Sequence, residues 1–179
     1  MSKSALKILE TAEALFNEYS IVGVGVDLIR DTSGCSKTTM YTYYKNKQQL
    51  INAVLYARDT RFKQGLNAAI EGLEAKAAID ALFAWHVAWS QQDHFKGCLF
   101  VRAVAEARSD DQEIINIAQQ HKHWIKQLIE ILCGQAGKAQ YSELIYTLFE
   151  GYIARCLVEG FHADTAERIQ QNIDVLLTE

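Results

Sequence analysis

Proline is absent from all 179 residues of the chain, where average usage of about 5% would supply roughly nine. Turns and strand edges welcome proline, whereas a helix interior excludes it, because the ring removes a donor and collides with the preceding turn. The absence therefore fits a chain that is nearly all helix. No apolar run approaches the roughly 18 residues that would span a bilayer. The N-terminus carries Lys3, Lys7 and Glu10 and lacks the apolar stretch of about 7–15 residues that marks a secretory signal. Both absences predict a cytoplasmic protein with no membrane partner. The four cysteines, Cys35, Cys98, Cys133 and Cys156, lie far apart with no CxxC pair. Reduced thiols are expected, with no disulfide framework and no metal site. No nucleophile–base pair, phosphate loop or cofactor motif is legible, so no catalytic residue is assigned and an enzyme is not expected.

The net charge of −4 is unevenly placed. Residues 1–63 hold nine Lys/Arg against six Asp/Glu, so the remaining 116 residues hold nine against sixteen. From Arg30 to Lys63 alone the balance is seven basic to two acidic. A basic head on an acidic body suits a protein that offers one face to phosphates.

Apolar spacing predicts a first helix through Ile8, Ala12, Leu15, Phe16 and Tyr19. Gly23 and Gly25 break the pattern, and Val26, Leu28 and Ile29 open a second helix ending near Ser33. Gly34 suits a tight turn. Ser36 is a good N-cap for a third helix from Lys37 to about Tyr43. Asn46, with Gln49 three residues on, forms a capping-box start before Leu50, Ile51, Val54 and Leu55. Two short helices joined by a glycine-containing turn and braced by another are a helix-turn-helix. Beyond it, long helices are read from Leu50 to about Glu71, Glu74 to Asp93, and Gly97 to Arg108. Ser109–Asp110–Asp111 starts one running to Gly134, and the last two cover about Ala139–Glu159 and Asp164–Leu177, with Asp164 as cap.

The residues Ile8-Leu9, Ala12, Leu15-Phe16, Ile29, Gly34, Ser36-Lys37, Thr39-Met40-Tyr41, Tyr44, Lys45, Lys47 and Leu50 follow one another in a distinctive order and spacing. On these, residues 6–52 resemble the N-terminal signature of the TetR family of bacterial regulators. Departures stand at Ser20, Val24-Gly25, Arg30 and Tyr44; the family's Thr-Ser at 24–25 is missing, and with it the usual cap of the second helix. The resemblance implies an all-α chain of about nine helices. Residues 1–48 would form a DNA-binding domain and 49–179 an effector-binding and dimerisation domain. It implies a repressor that binds a double-stranded operator as a homodimer and leaves it when a small hydrophobic effector binds. Lys37, Thr38, Thr39, Thr42 and Tyr43 would face DNA, Tyr41 would meet the backbone, and Lys47 would join its helix N-terminus in holding a phosphate. The alternative reading takes Tyr41, Tyr43 and Tyr44 as packing aromatics and Lys45 and Lys47 as a solvated pair.

In the body, Trp85, Trp89, Phe100, Glu106, His121 and Trp124 are candidates for an effector pocket lined by aromatics with polar anchors, or for ordinary core. Phe149, Tyr152, Ile153, Ile169 and Ile173 are candidates for a dimer interface, or for packing against the protein's own helices, with Gly151 and Gly160 allowing close approach. Cys98, just after Gly97 near a helix start, offers an alternative use of the same fold as a redox or electrophile sensor.

Overall fold

The computed structural model describes residues 1–108 and 111–178. Among them are nine α-helices and no strand: α1 (Lys3–Glu18), α2 (Val26–Ser33), α3 (Lys37–Tyr43), α4 (Lys47–Ala69), α5 (Ala75–Ser90), α6 (Leu99–Glu106), α7 (Gln112–Gln135), α8 (Ser142–Glu159) and α9 (Ala163–Thr178). The expected all-α fold is the observed one.

Local chemistry explains the starts and stops. The hydroxyl of Ser2 accepts from Ala5 N–H and that of Ser36 from Thr39 N–H, and the Asn46 carboxamide accepts from Gln49 N–H at 2.8 Å. Gly34 ends α2 at φ +65°, a left-handed conformation that a side chain would strain. Two helix starts are built differently from expectation. A 3₁₀ turn at Ala139–Tyr141 precedes α8, so the helix proper begins at Ser142, whose hydroxyl donates to Ala139 C=O. Asp164 lies in the first turn of α9, while His162 C=O accepts the first helical N–H groups. Ser109 and Asp110, expected to start α7, lie outside the described residues; the Asp111 carboxylate beside them accepts from Arg108 N–H.

The packing divides into two compact units that are discontinuous in sequence, Met1–Arg61 with Leu99–Gln119, and Phe62–Cys98 with Gln120–Glu179. This differs from a single break after residue 48, because α4 and α7 each contribute to both units and α6 belongs to the first.

In the first unit, α1 packs on α2 and α3. Ile8, Ala12, Phe16, Ile29, Met40, Leu50 and Val54 are buried there. In the second, α5, α8 and α9 pack together around Leu66, Ile79, Leu82, Phe83, Ile129, Ile145, Phe149, Tyr152 and Ile173. Phe83 meets Phe149 and Tyr152 edge-to-face, with centroids 5.3 and 5.2 Å apart. The Tyr152 hydroxyl shares a 2.8 Å hydrogen bond with Ser90, and burial raises its pKa to about 12. The indole of Trp85 lies close over Gly65, where a Cβ would stand 3.1 Å from the ring and push it back by a few tenths of an ångström.

His86 lies inside this aromatic core, edge-on to Phe62, Trp85 and Phe149. Its Nδ1 is 2.7 Å from Leu82 C=O, which can only accept, so Nδ1 carries the proton. Burial, with a smaller push from the Lys122 charge, lowers its pKa from the ordinary 6.5 to about 4. A folded-state pKa below the unfolded value means that stability is full above 6.5 and drains away as pH falls towards 4. At one pKa unit per 1.36 kcal/mol, the loss by pH 4.5 is on the order of 2–3 kcal/mol. Urea denaturation at pH 7 and 4.5 should show His86→Phe losing less stability than wild type by that amount. Equal losses in both proteins would contradict a neutral buried imidazole.

Candidate nucleic-acid interface

The site is built on α3. Ser36 caps it, and the cap is doubled by a 2.8 Å hydrogen bond between the Ser36 and Thr39 hydroxyls. Thr39 is therefore half-buried and its hydroxyl engaged. The Thr42 hydroxyl donates to Thr38 C=O one turn back, at 2.9 Å, so its proton is committed to the helix. Met40 is buried, while Lys37, Thr38, Tyr41, Thr42 and Tyr43 are exposed. The Tyr44 hydroxyl donates to Ala5 C=O at 3.0 Å and ties the end of α3 to α1. Of the three tyrosines, Tyr44 packs inward and Tyr41 and Tyr43 do not.

Charge at the surface is locally balanced. The Arg30 guanidinium bridges Asp27 and Asp31, and Lys37 Nζ lies 3.5 Å from Asp27. The second helix begins at Gly25 without a side-chain cap, as the missing Thr-Ser predicts; Asp27 in its first turn complements the dipole.

The turn between α1 and α2 is held by side chains from elsewhere in the same unit. Arg102 of α6 donates to the carbonyls of Asn17 at 2.8 Å, Tyr19 at 3.0 Å and Phe16 at 3.4 Å, the acceptors that the end of α1 leaves open. Glu106, one turn further along α6, accepts Val22 N–H at 3.0 Å. Lys47, at the start of α4, donates to Val22 C=O at 3.2 Å. Partial burial lowers the Lys47 pKa, and nearby Glu106 opposes that shift. Sequence reasoning missed Arg102 as a helix cap. Its spacing of four from Glu106 puts both on one helix face, but nothing local reveals a partner about 85 residues away.

The residues expected around an effector divide between the units. Trp85, Trp89, His121 and Trp124 lie in the second, whereas Phe100, buried, and Glu106, bonded to Val22, lie in the first. Phe62 joins the second group, its ring edge-on to Trp85 at 4.8 Å, to His121 at 4.9 Å and to Trp89 at 5.7 Å. Lys63 lies over the Trp124 ring at 5.4 Å.

Of the two readings of the dimer candidates, packing against the protein's own helices is the one seen within a protomer. Phe149, Tyr152, Ile153, Ile169 and Ile173 are all buried within one protomer, so their apolar faces serve its own core. What α8 leaves exposed includes Leu144, Gly151, Arg155 and Val158, at helical i, i+7, i+11 and i+14, while Leu148 between them is half-buried against the core. Val158 is 82% exposed and nothing stands within 4 Å of a Cβ added at Gly151.

Cys98 is half-buried beside the Lys122 ammonium. Burial opposes the Lys122 charge, but Cys98, Glu150 and Tyr146 together raise its pKa, and Lys122 is paired with Glu150 at 2.6 Å. Cys133 is buried, and burial pushes its thiol up to about 11. Among the described residues no cluster of three or more His, Cys, Asp or Glu is arranged to hold a metal ion, and no helix is long and apolar enough to cross a membrane.

Fold and site together define the class: a helix-turn-helix head, with exposed hydroxyls and cations on its second motif helix, in an all-helical chain. Residues 8–54 match the model of the bacterial regulatory proteins of the tetR family. Over 58 residues the chain is 34% identical to an HTH-type transcriptional regulator of Mycobacterium tuberculosis, a stretch covering 32% of this chain and 28% of that protein's length. Among solved structures, a TetR-family transcriptional regulator from Streptomyces coelicolor superimposes with a TM-score of 0.90 at 24% identity, over 98% of this chain and 89% of the other. The reduced form of E. coli NemR gives 0.85 at 16% identity, over 98% of each chain. The family match thus covers the helix-turn-helix segment, residues 8–54, and the described residues share the fold of solved TetR-family regulators.

Proposed function

We propose that the protein is a DNA-binding transcription regulator, a repressor that reads an operator as a homodimer and is released by a small hydrophobic effector. The observation that carries the reading is α3, a capped helix with Lys37, Thr38, Tyr41, Thr42 and Tyr43 all outward and Met40 inward. Short hydroxyls and threonine methyls can meet base edges, and the lysines can meet phosphates. For Lys47 to hold a phosphate, its ammonium has to turn from Val22 C=O to the DNA. The aromatic group of Phe62, Trp85, Trp89, His121 and Trp124 is the proposed effector region.

A second copy would pack along the exposed side of α8, Leu144, Gly151 and Val158, where Gly151 allows close helix approach. Two heads joined in this way would read half-sites one helical turn, about 34–36 Å, apart. A second use of the same body is favoured by the half-buried Cys98 thiol, which lies near the Lys122 ammonium. In that use, oxidation or alkylation of Cys98 would trigger release.

Four measurements test these proposals. Lys47→Ala should weaken specific and non-specific DNA binding alike and reduce the salt slope by about one, as loss of one phosphate contact does. Thr42→Ala should change the sequences selected from a random pool and leave the slope intact. A wild-type slope for Lys47→Ala would remove that lysine from the contact. Light scattering should find Leu144→Glu and Gly151→Glu monomeric with wild-type helical content; a dimer surviving both would move the interface. Cys98→Ser should bind DNA normally and keep it under mild oxidant. Oxidant-driven release from that variant would end the thiol reading.

A further inference from the structure

Within the first unit lies a cleft of about 300 Å³ that the DNA reading touches only at Lys47. Its floor is apolar: Ile21, Ile51, Ala103 and Ile114 are all buried, each no more than 5% exposed. Its rim is polar, with Lys47, Gln48, Glu106, Arg108 and Asp111. An apolar floor with a few polar groups at one side is the usual form of a small-molecule site, and the volume sits at the small end of the range, about 300–1,000 Å³.

The charges of the rim decide which ligand fits. Each carboxylate already faces a backbone donor: Glu106 accepts Val22 N–H and Asp111 accepts Arg108 N–H. Lys47 is a half-buried ammonium whose hydrogen bond goes to the neutral carbonyl of Val22, and an ammonium has three protons to give. Partial burial lowers its pKa despite Glu106, the mark of a cation whose lost hydration is not fully replaced. An anion entering the cleft would replace it.

We infer that this cleft binds a compact amphiphilic carboxylate, with its anion on the Lys47 ammonium and its apolar part on Ile21, Ile51 and Ile114. The site is separate from the aromatic group of the second unit. Its regulatory consequence rests on the DNA-binding reading: one ammonium cannot serve the ligand and a DNA phosphate at once, so the two compete. By linkage, each weakens the other by the same factor.

The test uses the full chain and octanoate, with octanamide and octylamine as neutral and cationic controls, by calorimetry without DNA. Octanoate should bind the wild type, and loss of the charge-assisted contact should weaken octanamide by about tenfold or more. Lys47→Gln should weaken octanoate by a similar factor, and Ala107→Trp, which fills the cleft without touching a charge, should abolish binding. If octanoate does not bind, binds no better than octanamide or octylamine, or binds both variants as it does the wild type, the inference is overturned. With DNA present, octanoate should weaken wild-type binding and leave Ala107→Trp unaffected. Octanoate binding by this pattern in a protein with no DNA affinity would keep the cleft and discard the DNA reading, so the two failures are distinguishable.

Discussion

The head depends on how the backbone between α1 and α2 is satisfied. A helix end leaves carbonyls without partners, and a turn that bends sharply cannot supply them. Here α6 does so: Arg102 covers the carbonyls of Phe16, Asn17 and Tyr19, and Glu106 takes Val22 N–H. Hydrogen bonds from a charged donor are the stronger kind, each contributing about 1.5–3 kcal/mol net when well formed. They fix where α1 stops, and α1 is the helix on which α2 and α3 pack. Two side chains from the middle of the sequence therefore help to fix the helix against which α2 and α3 pack.

Polar groups in the second unit follow a different logic. His86 is buried and kept neutral by the cost of charging it among aromatic rings. Lys122 keeps its charge because Glu150 accompanies it. Tyr152 satisfies its hydroxyl on Ser90 inside the core. The unit thus places imidazole, ammonium, carboxylate and thiol close to a mostly apolar interior.

Lys47 shows how one residue can carry several demands. It starts α4, donates to the turn it faces, balances Glu106 and borders the cleft. A lysine is suited to this, being a compact charge on a flexible stem that can exchange one acceptor for another at small geometric cost. An arginine at the same place would be committed to a fixed fork.

The sequence alone determined whatever depends on neighbours a few residues away. The caps at Ser36 and Asn46, the left-handed Gly34, the inward Met40 and the all-helical composition were legible because each is a local contact or a 3.6-residue period. The matched head segment was legible for the same reason, since its signature is short and continuous. Tertiary structure decided the rest. The apolar stripe of α8 and α9 was visible, but whether Phe149 and Ile173 face a partner or their own core depends on which helices lie beside them, and they face the core. Glu106 sits near the tryptophans in sequence yet belongs with Val22. Arg102 and its three carbonyls are about 85 residues apart. A period says which residues share a face; only the packing of distant helices says what that face meets.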